Sequence, residues 1–123
     1  MSDFTPTGRH LLVDFYDCQL DLSNMSYIEQ SLDKSAKESG ATIVSRHFHK
    51  FSPVGISGVI IIEESHFTVH TWPEHKFASV DFYTCGDTID FEHAVNVLNK
   101  AFDARRIVKK EFERGNQLIK QLI

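Results

Sequence analysis

The side chains that could do chemistry are concentrated in one stretch, residues 55–86. Within it, an apolar β-branched run is followed by two carboxylates, Glu63 and Glu64, and then by Ser65, and a later apolar run ends at Cys85. Polar side chains on otherwise apolar strands cost free energy unless they are hydrogen-bonded or used in function. The concentration therefore indicates a site, with the candidates Ser57, Glu64, Ser65, His66, His70, Glu74 and Cys85.

Ser65 is the first candidate for a nucleophile. The bond between Glu64 and Ser65 lies between two strand-like runs, which makes it a candidate for stored backbone strain. A serine hydroxyl becomes a good nucleophile only when a base or its geometry activates it, and His66, His70 and the Cys85 thiol offer that help. Each of these residues taken alone is more often a packing or hydrogen-bonding residue than a catalyst. The pattern by itself therefore leaves the reaction open.

The spacing does not support a metal site or a common hydrolase motif. Seven histidines include the pairs His47/His49 and His66/His70, and each pair points to one face of its strand. No third clustered ligand and no zinc-binding motif accompanies them, so we predict no metal. Residues 55–58 do not have the spacing of the nucleophile elbow of serine hydrolases. The glycine-rich motifs that bind phosphate groups or dinucleotides are also absent from the sequence.

Composition is typical of an ordinary soluble protein. The 123 residues are enough for one domain with a single core, and the hydrophobic content of 41% fits a globular chain. No run approaches the ~18 apolar residues of a membrane span, and residues 1–8 resemble a loose leader without a signal-peptide core. Two cysteines are too few for a disulfide framework. We predict one cytoplasmic domain over residues 1–123 that does not bind membranes.

A basic cluster near the C-terminus is the one feature that would suggest nucleic-acid binding. Its members are Arg105, Arg106, Lys109 and Lys110, in a chain whose net charge is −4. An apolar pair interrupts the cluster, so it is a weak footprint for a nucleic acid. The cluster is better explained as charged side chains on a solvent-exposed edge strand, where they prevent that edge from pairing with another chain. We therefore predict no nucleic-acid partner.

Hydrophobic periodicity predicts the element order β-α-β-β-β-β-α-β. Ser26 and Glu29 have the spacing of a capping box for the first helix, Gly40 stands where that helix ends, and Asp90 is expected to cap the second. Two amphipathic helices and one mostly antiparallel sheet predict an α+β fold, a two-layer α/β sandwich with both helices on one face. The other face of the sheet then meets water or a second copy of the chain.

The sequence of residues 64–86, ESHFTVHTWPEHKFASVDFYTCG, closely resembles the signature of the prokaryotic S-adenosylmethionine decarboxylase proenzymes. Further blocks that are similar to this family extend the resemblance over roughly residues 8–115, at 8–10, 15–18, 38–41, 51–58 and 113–115. The resemblance implies a chain that makes its own pyruvoyl cofactor. It also implies a homodimer of cleaved protomers, with sites at or near the subunit contact.

The resemblance implies that the chain cleaves itself between Glu64 and Ser65 into residues 1–64 and 65–123. In this family the serine hydroxyl attacks the preceding carbonyl, and loss of the α-proton then leads to a pyruvoyl group at the start of the second fragment. The pyruvoyl carbonyl forms a Schiff base with the substrate amine and accepts the electrons released with carbon dioxide.

The resemblance also implies roles for five further side chains. His70 matches the proton acceptor in processing, and Ser57 matches a serine that assists the same step. Cys85 matches the donor that protonates carbon after decarboxylation. Phe51 and Glu74 match residues that stack on the adenine and hold the ribose hydroxyls.

The implied reaction is decarboxylation of S-adenosylmethionine, which gives the aminopropyl donor for polyamine (spermidine) biosynthesis. Relatives with the same self-processing core act on arginine or ornithine, and a binding homologue that does not cleave is a further alternative. Phe67 and Lys76 depart from the family pattern beside the expected substrate pocket. An arginine or ornithine site would need side chains that fill the adenine space, and Phe67 is a candidate for such a filler.

Overall fold

The structure is a computed structural model that describes residues 7–115. The six strands are β1 (Gly8–Cys18), β2 (Ile43–Lys50), β3 (Ile56–Ile62), β4 (Ser65–Trp72), β5 (Phe77–Cys85) and β6 (Ala104–Arg114). The two helices are α1 (Met25–Glu38) and α2 (Phe91–Phe102), and a single 3-10 turn, Pro73–His75, joins β4 to β5. The predicted order of elements is confirmed.

All six strands belong to one sheet, whose order is β2-β3-β4-β5-β1-β6. Every neighbouring pair in it is antiparallel. Both helices pack on the same side of the sheet and share one hydrophobic core with it. The predicted two-layer α+β sandwich is therefore confirmed. The sheet has a second face that no helix of residues 7–115 covers, which we call the open face.

Strand alternation decides which side chains enter the core. Along β5, buried and half-buried residues alternate without a break, so every second side chain points to the helices. Phe67 and Phe82 lie opposite each other on β4 and β5, both fully buried, with their ring centroids 4.7 Å apart in an edge-to-face contact. Phe67 is thus a core residue on the helix side and does not fill the substrate pocket.

Helix capping agrees with the sequence at one helix and differs at the other. Asp90 caps α2 and accepts a hydrogen bond from the amide of His93, as predicted. The predicted capping box at Ser26 is wrong, because the cap lies two residues earlier, at Asn24, which accepts from the Tyr27 amide at 3.1 Å. An asparagine caps a helix as well as a serine does.

The edge strand β6 carries the basic cluster predicted to guard a strand edge. Most of its residues are exposed, and among the described strands β6 pairs only with β1. Most of the predicted loose leader, residues 1–6, lies outside the described residues. None of the helices in the described range is long and apolar enough to cross a membrane.

Candidate active site

The turn between β3 and β4 holds the predicted cleavage bond. Two contacts with Thr42 fix this turn: its carbonyl accepts from the Glu63 amide at 2.9 Å, and its own amide donates to the Glu64 carboxylate at 3.1 Å. Ser65 follows with a φ of 156°, a positive value that residues other than glycine seldom adopt. The backbone is therefore strained at the serine of the predicted cleavage bond.

The carbonyl oxygen of Glu64 accepts a hydrogen bond from the backbone amide of Cys85 at 2.9 Å. The pairing of β4 with β5 creates this contact, since Ser65 lies opposite Thr84, the residue before Cys85. A fixed N–H donor polarises a carbonyl and stabilises the negative charge that develops on its oxygen during nucleophilic attack. The carbonyl that Ser65 is predicted to attack is thus already activated by the fold.

The two cysteines of the chain occupy different environments. Cys85 is half-buried at the end of β5, on the open face, and is a free thiol. Cys18 is buried in the core, where burial, together with the carboxylates of Asp17 and Asp103, raises its pKa to about 11. Cys18 therefore stays protonated at neutral pH and lies away from the open face, which leaves Cys85 as the cysteine available for chemistry.

Ser57 and His70 form a hydrogen-bonded pair at the opposite end of β3 and β4. They face each other across the two strands, and the Ser57 Oγ lies 2.8 Å from the His70 Nδ1. The pair is exposed to solvent. A hydroxyl held against an imidazole can pass a proton to or from a third group.

A cleft with a volume of 360 Å³ opens beside this pair. It is lined by Phe51, Ser57, His70, Trp72 and Glu74, among others. The Phe51 ring is 49% exposed and packs against His49, with the ring centroids 4.5 Å apart. An exposed aromatic face near a carboxylate suits a ligand that carries both a ring and a positive charge.

The predicted site residues form two clusters rather than one. The cleavage end contains Glu64, Ser65 and Cys85, and the cleft end contains Phe51, Ser57, His70 and Glu74. His70 lies five residues after Ser65 on β4, which corresponds to about 16 Å along an extended strand. His70 and the Ser57 paired with it are therefore too far from Ser65, within one chain, to act on it.

Sequence reasoning missed three side chains near these clusters. Trp72 lines the cleft, and His10 and Tyr83 make ring contacts with His66 on the open face. Strand alternation could have placed each of them on this face, but the cross-strand register that groups them could not be obtained from the sequence. Within residues 7–115, no three His, Cys, Asp or Glu side chains are grouped so as to hold a metal ion.

A family model described as S-adenosylmethionine decarboxylase matches residues 9–115. The chain belongs to the S-adenosylmethionine decarboxylase family. Curated members named S-adenosylmethionine decarboxylase proenzyme include one from Thermotoga petrophila, 50% identical over 109 residues that make up 88% of this chain and 84% of the relative. Another, from Pseudomonas aeruginosa, is 41% identical over 116 residues, 94% of this chain and 72% of the relative.

Solved structures agree with the family assignment. The crystal structure of the adenosylmethionine decarboxylase from Aquifex aeolicus is 36% identical, with a TM-score of 0.80, over 87% of this chain and 89% of that chain. The Trypanosoma brucei AdoMetDC-delta26 monomer shares the fold at 16% identity and a TM-score of 0.61, over 82% of this chain and 44% of that chain. The predicted family is confirmed, and with it the enzyme class and a pyruvoyl cofactor formed from a serine.

Proposed function

We propose that this chain is a self-processing decarboxylase of S-adenosylmethionine, and that it works as a homodimer whose active sites each combine two protomers. Membership of the S-adenosylmethionine decarboxylase family supports the reaction, and the names of the relatives above support this substrate over arginine, ornithine or a binding role without cleavage. The product is the aminopropyl donor for polyamine biosynthesis. The cytoplasmic location stays a prediction.

The hydrogen bond from the Cys85 amide to the Glu64 carbonyl is the observation that carries the proposal for processing. The Ser65 hydroxyl attacks this carbonyl, the peptide bond becomes an ester, and the strained serine backbone favours the change. A base then removes the α-proton of Ser65, and the Glu64 carboxylate leaves, so that a dehydroalanine remains, which water hydrolyses to the pyruvoyl group with release of ammonia. The chain is thereby divided into residues 1–64 and 65–123.

We assign the base of this step to His70 of a second protomer, supported there by Ser57. The two side chains are already joined at 2.8 Å, so the serine hydroxyl orients the imidazole. Since about 16 Å of strand separates His70 from Ser65 in one chain, the cleft end of one protomer has to meet the cleavage end of another.

The open face is the surface that supports this pairing. Large apolar side chains lie exposed on it, among them Ile61 at 42%, Trp72 at 40% and Phe112 at 44% exposure. Exposed apolar groups on an uncovered sheet indicate a contact surface. Two protomers can stack open face to open face about a two-fold axis that lies between the sheets and runs perpendicular to the strands. This rotation reverses the strand direction of the second sheet, so that the cleft end of each protomer lies over the cleavage end of the other.

The pyruvoyl group, once formed, supplies the carbonyl that takes up the electrons released with carbon dioxide. We propose that Cys85 donates the proton that the substrate carbon then needs, because its thiol lies at the cleavage end on the open face. Phe51 stacks on the adenine, and Glu74 accepts hydrogen bonds from the ribose hydroxyls. Both would be contributed by the second protomer.

Cys85→Ala should still cleave but should decarboxylate S-adenosylmethionine about 10²–10⁴-fold more slowly, the usual cost of losing a positioned acid. The alanine keeps the backbone amide that holds the Glu64 carbonyl. The two fragments are detected by mass spectrometry, and turnover by release of labelled carbon dioxide. Cys18→Ala removes the other thiol and is the matched control. Turnover of Cys85→Ala at the parental rate would show that another group is the donor.

Phe51→Ala and Glu74→Gln should cleave normally and should each raise the KM for S-adenosylmethionine by about 10- to 100-fold, as expected for the loss of a stacking or charged hydrogen-bonding partner. Steady-state kinetics on the cleaved enzyme measures this. Glu29→Gln, half-buried on α1 and outside the cleft lining, is the matched control for Glu74→Gln. An unchanged KM in both cleft variants would place the nucleoside elsewhere.

A further inference from the structure

The hairpin that carries the cleavage bond has a turn of two residues. β3 ends at Ile62 and β4 begins at Ser65, and these two residues pair, so Glu63 and Glu64 make up the whole turn. Two-residue hairpins favour the primed turn types, which need a positive φ at one or both turn residues and therefore select glycine, asparagine or aspartate. A glutamate is unsuited to that conformation. The residues of this turn thus conflict with its length.

The conflict appears in the backbone at Ser65. Positive φ occurs at four of the described residues other than glycine, and neither Glu63 nor Glu64 is among them. The turn therefore does not adopt a primed conformation, and an unprimed turn twists against its two strands. Ser65, the first residue of β4, instead takes the φ of 156°. The residue whose hydroxyl is proposed to attack thus carries the strain of the short turn.

The Glu64 side chain completes the sheet beside this turn. The pairing of β2 with β3 reaches Ile43 and Ile62, so the next pair along the two chains is Thr42 and Glu63. A hydrogen-bonded antiparallel pair exchanges two backbone hydrogen bonds. Here the Glu63 amide donates to the Thr42 carbonyl at 2.9 Å, but the Thr42 amide donates to the Glu64 carboxylate at 3.1 Å. The carboxylate thus takes the place of a backbone carbonyl.

Glu64 is held from both sides of its hairpin. In the sheet, β2 lies beside β3 and β5 lies beside β4, so the hairpin stands between them. The half-buried Glu64 reaches the start of β2 with its carboxylate. It reaches the end of β5 with its carbonyl oxygen, which accepts from the Cys85 amide at 2.9 Å. Two such contacts leave the peptide group of the cleavage bond little freedom to turn away from its neighbours.

We propose that Glu64 is a positioning residue for self-cleavage, because its carboxylate anchors the turn to β2 through the Thr42 amide. The anchor keeps the turn from relaxing, so that the strain stays on Ser65 and the carbonyl stays on the Cys85 amide. Contact geometry that is formed in advance lowers the barrier for an attack within the chain. The carboxylate itself neither forms nor breaks a bond. The inference rests on the cleavage bond proposed above.

Loss of the anchor should slow cleavage. Glu64→Ala should cut about tenfold more slowly than the parent chain, as expected when one charged hydrogen bond at a solvent-accessible position is lost. Glu64→Gln keeps an oxygen that accepts from the Thr42 amide and should cut within about threefold of the parental rate. Glu63→Ala is the matched control, since this neighbouring side chain is exposed and the backbone amide remains. Chains made by cell-free translation and sampled over time by mass spectrometry give the rates. Equal rates in Glu64→Ala and Glu63→Ala would overturn the proposal.

The donor of the anchor can be removed without touching the cleavage bond. Thr42→Pro deletes the amide hydrogen but keeps the carbonyl that accepts from Glu63, and proline is tolerated at the start of an edge strand such as β2. It should slow cleavage about tenfold, whereas Thr42→Ala, which keeps the amide, should not. Because both changes remove the same contact, Glu64→Ala together with Thr42→Pro should lose little more than either change alone. Additive losses would contradict the proposed contact.

Two further measurements separate positioning from a structural effect and from the choice of cleavage bond. Loss of positioning should lower the rate of cleavage at least about fivefold more than it lowers kcat of the chains already cut, whereas general damage to the fold lowers both alike. Equal falls in the two rates would therefore refute the inference. The fragment masses of the parent chain locate the cut. A cut at another bond would refute the proposed cleavage site and this inference together. A cut after Glu64, with parental rates in Glu64→Ala and Thr42→Pro, would refute the inference alone.

Discussion

Replacing Ser65 with alanine should leave an uncut chain of 14.1 kDa without decarboxylase activity. The alanine has no hydroxyl to attack the Glu64 carbonyl, although the hydrogen bond from Cys85 that activates this carbonyl remains. Without the ester no elimination follows, and no pyruvoyl group is made. The intact mass of the purified protein measures cleavage, and carbon dioxide release from S-adenosylmethionine measures activity.

Two controls make this result specific to the nucleophile. Ser65→Cys keeps a nucleophilic atom at the same position and should cleave slowly rather than not at all. Ser45→Ala, on the exposed strand β2, should cleave like the parent chain. Two fragments from Ser65→Ala would mean that the attacking group is not at position 65, and the assignment of the cleavage bond would have to be abandoned.

The fold was predictable because the apolar residues of almost every helix and strand recur with a clear period. The alternation along β5 and the apolar stripe of α2 each specify one buried face, and the structure buries those faces. Phe67 shows where the pattern was not enough. Its neighbours in sequence suggested a pocket position, but alternation along β4 turns it to the core, away from the cleft.

The sequence supplied the candidate residues of the site, but it could not supply their arrangement. Ser65 and His70 are close in the sequence, which suggests one compact site. An extended strand advances by about 3.3 Å per residue, so five residues place them at opposite ends of the sheet. Only the strand register shows that Cys85 returns to the Glu64 carbonyl while His70 pairs with Ser57.

Co-expression of two inactive variants should restore cleavage if each site combines two protomers. Ser65→Ala and His70→Ala should each give uncut, inactive homodimers. In a mixed dimer, the His70→Ala chain keeps its serine and receives the intact imidazole of the other chain, which completes one of the two sites. With random association about half of the His70→Ala chains should be cut. Different affinity tags on the two chains allow mass spectrometry to assign the fragments.

The matched control for this experiment pairs Ser65→Ala with Cys85→Ala, two changes at the same end of the sheet. No mixed dimer of these chains contains a site with both Ser65 and Cys85, so decarboxylation should stay at the level of the Cys85→Ala homodimer. Sedimentation should show dimers in both mixtures. If His70→Ala chains stay uncut in the first mixture although mixed dimers are present, the imidazole does not act across the interface. The separation of about 16 Å along β4 would then have to be closed by a rearrangement within one chain.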